Sequence, residues 1–220
     1  MSLTLSVLTG FSGRVLLKKA LLFSGIVSSL FYIAMNIIVP MQFPGYSAAS
    51  QTVSELSAVD APTRSLWVLL ANIYTLLVAL FGWGVWKSAG QHRMLRIAGA
   101  LLIVYGLIGL GWPPMHQREV LAAGGATLTD TLHIVFTAVT VLLMLLIIIL
   151  CATSLGKLFR LYSIATILIL VVFGVLTGLN SPELEANLAT PWIGVWERIS
   201  IGAYLLWIVA LAIILLRWEK

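Results

Sequence analysis

Asp130 and His133 are the first residues here whose types and spacing suggest chemistry. They stand three positions apart in TLTDTLHIV and so share one face of any helix running through them. A carboxylate beside an imidazole can orient the ring for acid–base work, or the two can ligate a metal together. His116, in WPPMHQRE, would complete a three-ligand set for zinc or another divalent metal, with one position open. Structural roles compete with these. Thr127–Asp130 has the spacing of a capping box, and a histidine one turn into an apolar helix can serve as an interhelical hydrogen bond.

Glu197 and Arg198 form a second pair, some six residues into the last apolar run. Adjacent helical residues point about 100° apart, so each needs a partner from elsewhere. Glu55 or Asp60 is a candidate for Arg198, and Arg64 or His133 for Glu197. The chemistry-bearing candidates are therefore Asp130, His133 and Glu197. Ser54, Glu55, Asp60, Arg64, Asn180, Glu197 and Arg198 are candidates for holding a polar ligand. No HExxH, GxSxG, Walker A or dinucleotide-binding loop is present.

What positions these residues follows from composition. The chain has 220 residues, 60% of them hydrophobic and only 10% charged, with a mean hydropathy of +1.06. A soluble domain carries roughly 25% charged residues, so this is an integral membrane protein. Unbroken apolar runs such as 134–150 lack the alternation of a barrel strand, which leaves helices. The expected architecture is an all-α bundle of six transmembrane helices, spanning about 20–39, 65–86, 94–112, 130–152, 161–179 and 192–216, in a single membrane domain over 1–220. Asp60 followed by Pro62 suggests the start of the second helix.

Charge sorts the loops. With the N-terminus inside, the inner loops hold Arg14, Lys18, Lys19, Lys87, Arg93, Arg96, Lys157, Arg160, Arg217 and Lys220, and the outer side holds only Arg64, Arg118 and Arg198. Every acid except Glu219 falls outside. The expected orientation is both termini cytoplasmic, in a bacterial inner membrane. The net charge of +5 reflects this bias and does not indicate nucleic acid. Membrane lipids are the expected partners. Gly106 with Gly109, and Gly174 with Gly178, read first as packing faces within the bundle and second as a seam between copies. Cys151 reads as a small packing residue.

The longest polar stretch, YSAASQTVSELSAVDAPTR over 46–64, becomes an outer-face lid in this arrangement. That loop, WPPMH, TDTLH and WERISIGAYLLW together resemble the bacterial and archaeal family called domain of unknown function 998. The resemblance implies a six-helix membrane protein and carries over no catalytic residue. A looser similarity is to membrane hydrolases of the alkaline ceramidase kind, which combine a serine, an aspartate and three histidines around zinc. Ser54, Asp130, His116 and His133 would be the counterparts, but the paired histidines of their last helix are absent. The leading expectation is an outer polar site that binds a lipid headgroup or small polar ligand, or that locks the helices in a protein acting through a partner. The alternatives are a metal-dependent hydrolase or transferase acting on outer-leaflet lipid, and a small transporter with Glu197 as its proton carrier.

Overall fold

The computed structural model describes residues 2–218, with side chains from Gly13 onward except that of Arg14. Arg14, Glu219 and Lys220, which enter the charge count above, lie outside these described side chains.

Among the described residues there are eight α-helices: α1 (Ser2–Ile38), α2 (Arg64–Ser88), α3 (Arg93–Ile108), α4 (Arg118–Ala122), α5 (Leu128–Ser154), α6 (Lys157–Leu179), α7 (Ser181–Glu185) and α8 (Ile193–Trp218). Within the described residues six segments are long and apolar enough to cross a membrane: Val15–Gln42, Arg64–Ser88, Arg93–Gly111, Leu128–Ser154, Lys157–Glu185 and Ile193–Trp218. Each holds 19 to 29 residues, which spans a hydrocarbon core of ~30 Å at 1.5 Å per residue. No strand occurs among the described residues. The protein is a six-span helical membrane protein, as its composition requires.

Packing closes the six long helices into a ring. α1 packs on α2, α2 on α3, α3 on α5, α5 on α6, α6 on α8, and α8 back on α1. The α2–α3 and α5–α6 connections are short turns, and the ring follows chain order. The interior holds Leu22, Met35, Phe81, Val85, Leu102, Ile147, Tyr204, Trp207 and Leu211, all essentially inaccessible. The outside is just as apolar: Leu30, Leu69, Leu142, Leu168 and Leu206 are exposed, as lipid-facing residues are.

Lipid is as apolar as leucine, so close backbone approach and polar contacts must hold the helices together. α2 and α3 approach at Gly82 and Gly99. A Cβ on Gly82 would lie 2.7 Å from the Ile103 nitrogen, and one on Gly99 would lie 2.5 Å from the Trp86 nitrogen. Ser29 donates to the Leu205 carbonyl at 3.1 Å, joining α1 to α8. Trp207 Nε1–H donates to Ser163 Oγ at 2.9 Å, joining α8 to α6. Gly106 packs against Thr75 and Ala79, as the small-residue reading expects. Gly174 and Gly178 do not pack within the chain: nothing lies within 4 Å of a Cβ at either, and both face outward from α6.

One boundary differs from the sequence reading. Asp60 does not begin α2. It is exposed in a left-handed turn (φ 64°), and the helix starts at Arg64 after Thr63. The Thr63 hydroxyl is spent on the Leu56 carbonyl at 2.8 Å, which ties the helix entrance back to the preceding turn.

Candidate functional site

The two ends of the bundle are chemically different. At one end lie the start of the first span, the α2–α3 turn and the end of α8, where the His92 and Trp218 rings are 5.8 Å apart. At the other end the polar loop after α1 folds over the starts of α2, α5 and α8. Loop and helix starts together build two connected polar clusters.

The first cluster centres on Glu55, in a 3-10 turn (Ser54–Ser57) that the loop forms above the bundle. Arg118, the first residue of α4, reaches it with two parallel bonds: Nε to Oε1 at 2.6 Å and Nη2 to Oε2 at 2.9 Å. Both residues are buried. The guanidinium also donates to Thr190 Oγ1 at 2.7 Å and to the Ser50 carbonyl at 2.8 Å. The carboxylate further accepts from the Thr52 amide at 2.6 Å, the Thr52 hydroxyl at 3.0 Å and Gln51 Nε2 at 3.3 Å. Full satisfaction of this kind is what makes a buried ion pair tolerable.

Glu197 and Arg198 hold the other side of the same loop. Glu197 Oε2 accepts from the Val53 amide at 2.6 Å. Arg198 Nη1 donates to the Ala48 and Gln51 carbonyls at 2.8 and 3.0 Å, and Nη2 donates to the Tyr46 hydroxyl at 2.6 Å. The Tyr46 hydroxyl in turn donates to the Thr52 carbonyl at 2.8 Å. Burial pushes the Tyr46 phenol up to about 12 against the opposing pull of Arg198, so it donates in its neutral form. The loop lies so close to α8 that the Gly194 amide donates to Ala49 at 2.9 Å, and a Cβ at Gly194 would collide with the Ala48 and Gln51 carbonyls.

The second cluster contains the histidines. Asp130 closes the capping box with Thr127: its Oδ2 accepts from the Thr127 amide at 2.8 Å. The same carboxylate accepts from the His116 amide at 2.7 Å, and its Oδ2 lies 2.8 Å from His116 Nδ1. His133, buried one turn deeper, has Nδ1 2.8 Å from the Pro113 carbonyl and Nε2 3.0 Å from Ser54 Oγ. The Trp112 indole nitrogen also approaches Nδ1, at 3.1 Å, with its ring edge-on to the imidazole. With the proton on Nδ1 the ring donates to the Pro113 carbonyl and Nε2 accepts from the Ser54 hydroxyl; with the proton on Nε2, the Nδ1 lone pair accepts from the Trp112 indole N–H.

Several expected partners change. Arg198 pairs with neither Glu55 nor Asp60, because the Ala48, Gln51 and Gly194 carbonyls and the Tyr46 phenol surround its guanidinium near the start of α8. Glu197 takes a backbone amide in place of Arg64 or His133. Arg64 donates to the Ser57 carbonyl at 3.0 Å, and Asn180 Nδ2 donates to the Leu176 carbonyl at the end of α6, so both serve local turns. Asp60 stays in its exposed turn. The three-ligand zinc set of His116, His133 and Asp130 does not assemble, because His133 turns its two nitrogens to Ser54 and Pro113. Among the described residues no three His, Cys, Asp or Glu side chains are grouped to hold a metal.

Arg118, Thr190 and Tyr46 were missed as site residues. Arg118 had one signal in the sequence: it is a basic residue on the acid-rich side of the chain, where charge bias leaves few. Thr190 and Tyr46 are ordinary loop residues that gain their roles only from what they touch.

A family model described as protein of unknown function (DUF998) matches residues 26–214. The chain belongs to this family. The DUF998 match contains every residue of both polar clusters. No curated protein and no solved structure matches the chain.

Proposed function

We propose that this DUF998 protein is a membrane-embedded hydrolase or transferase that acts on an ester or amide of a lipid-like substrate at the loop-covered end of the bundle. The observation that carries this reading is the Ser54–His133 pair: Ser54 Oγ lies 3.0 Å from Nε2 and the Pro113 carbonyl 2.8 Å from Nδ1, so the tautomer with its proton on Nδ1 accepts from the serine hydroxyl. In that tautomer the imidazole is a base ready to take the serine proton. Ser54 Oγ would attack the carbonyl carbon while its proton passes to His133 Nε2. His133 would return the proton to the leaving alcohol or amine. Water, or an acceptor hydroxyl, would then take the acyl group from Ser54. Leu128 and Ile134 beside the site are exposed on α5, which supports entry of the substrate from the lipid. No metal is needed for these steps.

The test uses an alkyl fluorophosphonate on the purified, folded protein, with peptide mapping of the adduct. Labelling at Ser54 is expected. It should vanish in Ser54→Ala and slow by about 100-fold or more in His133→Gln, the usual scale of a general base. Absence of labelling in protein that melts normally would sink the reading.

A second reading rests on a different observation. Glu55, Arg118, Glu197 and Arg198 all find partners within the chain. This supports a clasp that holds the loop on the helices, leaving the site to bind a polar headgroup without chemistry. Under that reading Ser54 is inert to the probe, while the stability effects worked out in the Discussion persist.

A further inference from the structure

A cavity of about 390 Å³ opens at the opposite end of the bundle, lined by Leu17, Lys18, Trp86, Lys87, Gly90 and Arg96. Its size falls in the range of small-ligand sites, ~300–1,000 Å³. Three cations from three helices line it. The geometry fixes two of them. Gly90 takes a left-handed conformation (φ 52°) in the α2–α3 turn, and its carbonyl accepts from Arg96 Nη2, which holds the guanidinium at the cavity wall. Lys87 Nζ sits 5.2 Å from the centre of the Trp83 ring, a cation–π contact that anchors the last turn of α2. Leu17 and Trp86 are exposed, so the cavity has apolar walls of the kind that meet acyl chains at an interface.

The acids are elsewhere. Glu55, Asp60, Glu119, Asp130, Glu183, Glu185 and Glu197 all belong to segments at the loop-covered end. Glu219 follows α8 in sequence and lies outside the described residues. Charge bias in membrane proteins accounts for cations at this end of the bundle. It does not account for a cavity between them with an aromatic wall.

We infer that this cavity binds the phosphate of an anionic phospholipid headgroup, with Lys87 and Arg96 as the fixed contacts and Leu17 and Trp86 against the chains. The site is independent of the Ser54–His133 pair and lies at the other end of the molecule. Basic residues near a membrane surface contribute about 1 kcal/mol each toward anionic lipid, which is about fivefold in affinity.

The full-length protein in neutral detergent is titrated with phosphatidylglycerol, with phosphatidylcholine or with inorganic phosphate, and bound ligand is counted by native mass spectrometry. Phosphatidylglycerol should bind at least about fivefold more tightly than phosphatidylcholine, and Lys87→Gln should remove about fivefold of that affinity. Lys87→Gln with Arg96→Gln should remove about 25-fold. Lys87→Gln leaves the Arg96–Gly90 bond intact, so its effect is readable even if the double variant loosens the turn. Lys157→Gln changes an exposed cation at the same end but outside the cavity, and should change nothing. Equal losses in Lys157→Gln and Lys87→Gln would replace the site with diffuse attraction and overturn the inference. So would phosphatidylglycerol binding that both cavity variants leave unchanged. Binding of inorganic phosphate that Lys87→Gln abolishes would keep the phosphate site and overturn its lipid source.

Discussion

Replacing Arg118 by glutamine should be among the most damaging single changes at the loop-covered end. Arg118 is 9% exposed and Glu55 4%, so solvent does little to screen their pairing. The substitution deletes two charge-assisted bonds to the carboxylate and leaves Thr190 Oγ1 and the Ser50 carbonyl without that donor. Breaking a buried pair from one side costs about 3–5 kcal/mol. Glu55 keeps its bonds from Thr52 and Gln51, which places the expected loss near the lower bound, about 3 kcal/mol. For a chain of this length that corresponds to a fall in melting temperature of about 6–12 °C. The assay is thermal unfolding in detergent, followed by tryptophan fluorescence. A double-mutant cycle with Glu55→Gln separates the pair from its surroundings and should show a coupling of about 2 kcal/mol or more. Arg118→Lys keeps the charge but loses the planar fork, so it should fall between glutamine and wild type. A shift under about 2 °C for Arg118→Gln, or additive single changes in the cycle, would refute the claim that this pair clasps the loop.

Two further outcomes follow from the same geometry. Gly194→Ala should lift the loop from α8, because its Cβ has no room beside the Ala48 and Gln51 carbonyls. Limited proteolysis should then cut between residues 46 and 55, while Gly111→Ala, where nothing lies within 4 Å of an added Cβ, should leave the loop resistant. Uncut Gly194→Ala protein would mean that the loop tolerates displacement. For orientation, a reporter joined after Gly124, between α4 and α5, should behave as periplasmic, with one joined after Trp218 cytoplasmic. The reverse pattern would overturn the charge-based topology.

The helices were legible because the bilayer leaves few choices. A run of about 20 apolar residues must be helical to satisfy its own backbone, so the spans could be read from hydropathy alone. The Thr127–Asp130 cap was legible for a similar reason, since both partners lie within one turn of each other. The pairing of the charges at the loop-covered end was not. Opposite charge and a shared side of the bundle suggested Glu55 or Asp60 for Arg198. The guanidinium instead took backbone carbonyls, which sequence does not display as acceptors aimed at any one residue. Arg118 and Glu55 are separated by two transmembrane helices in the chain, and the packing of α2 on α3 returns the chain to the same end, where the two meet.

By itself, then, the sequence determined a six-helix membrane protein with its polar residues gathered at one end, because hydrocarbon admits little else and because Lys and Arg concentrate at the other end. Tertiary structure decided which polar residues meet. Ser54 faces His133 because a 3-10 turn in the loop sets the serine above α5, and His133 is not grouped with His116 and Asp130 because its two nitrogens face the Pro113 carbonyl and Ser54. Those contacts depend on the paths of loops between helices, and a loop's path is set by every helix it touches rather than by its own residues.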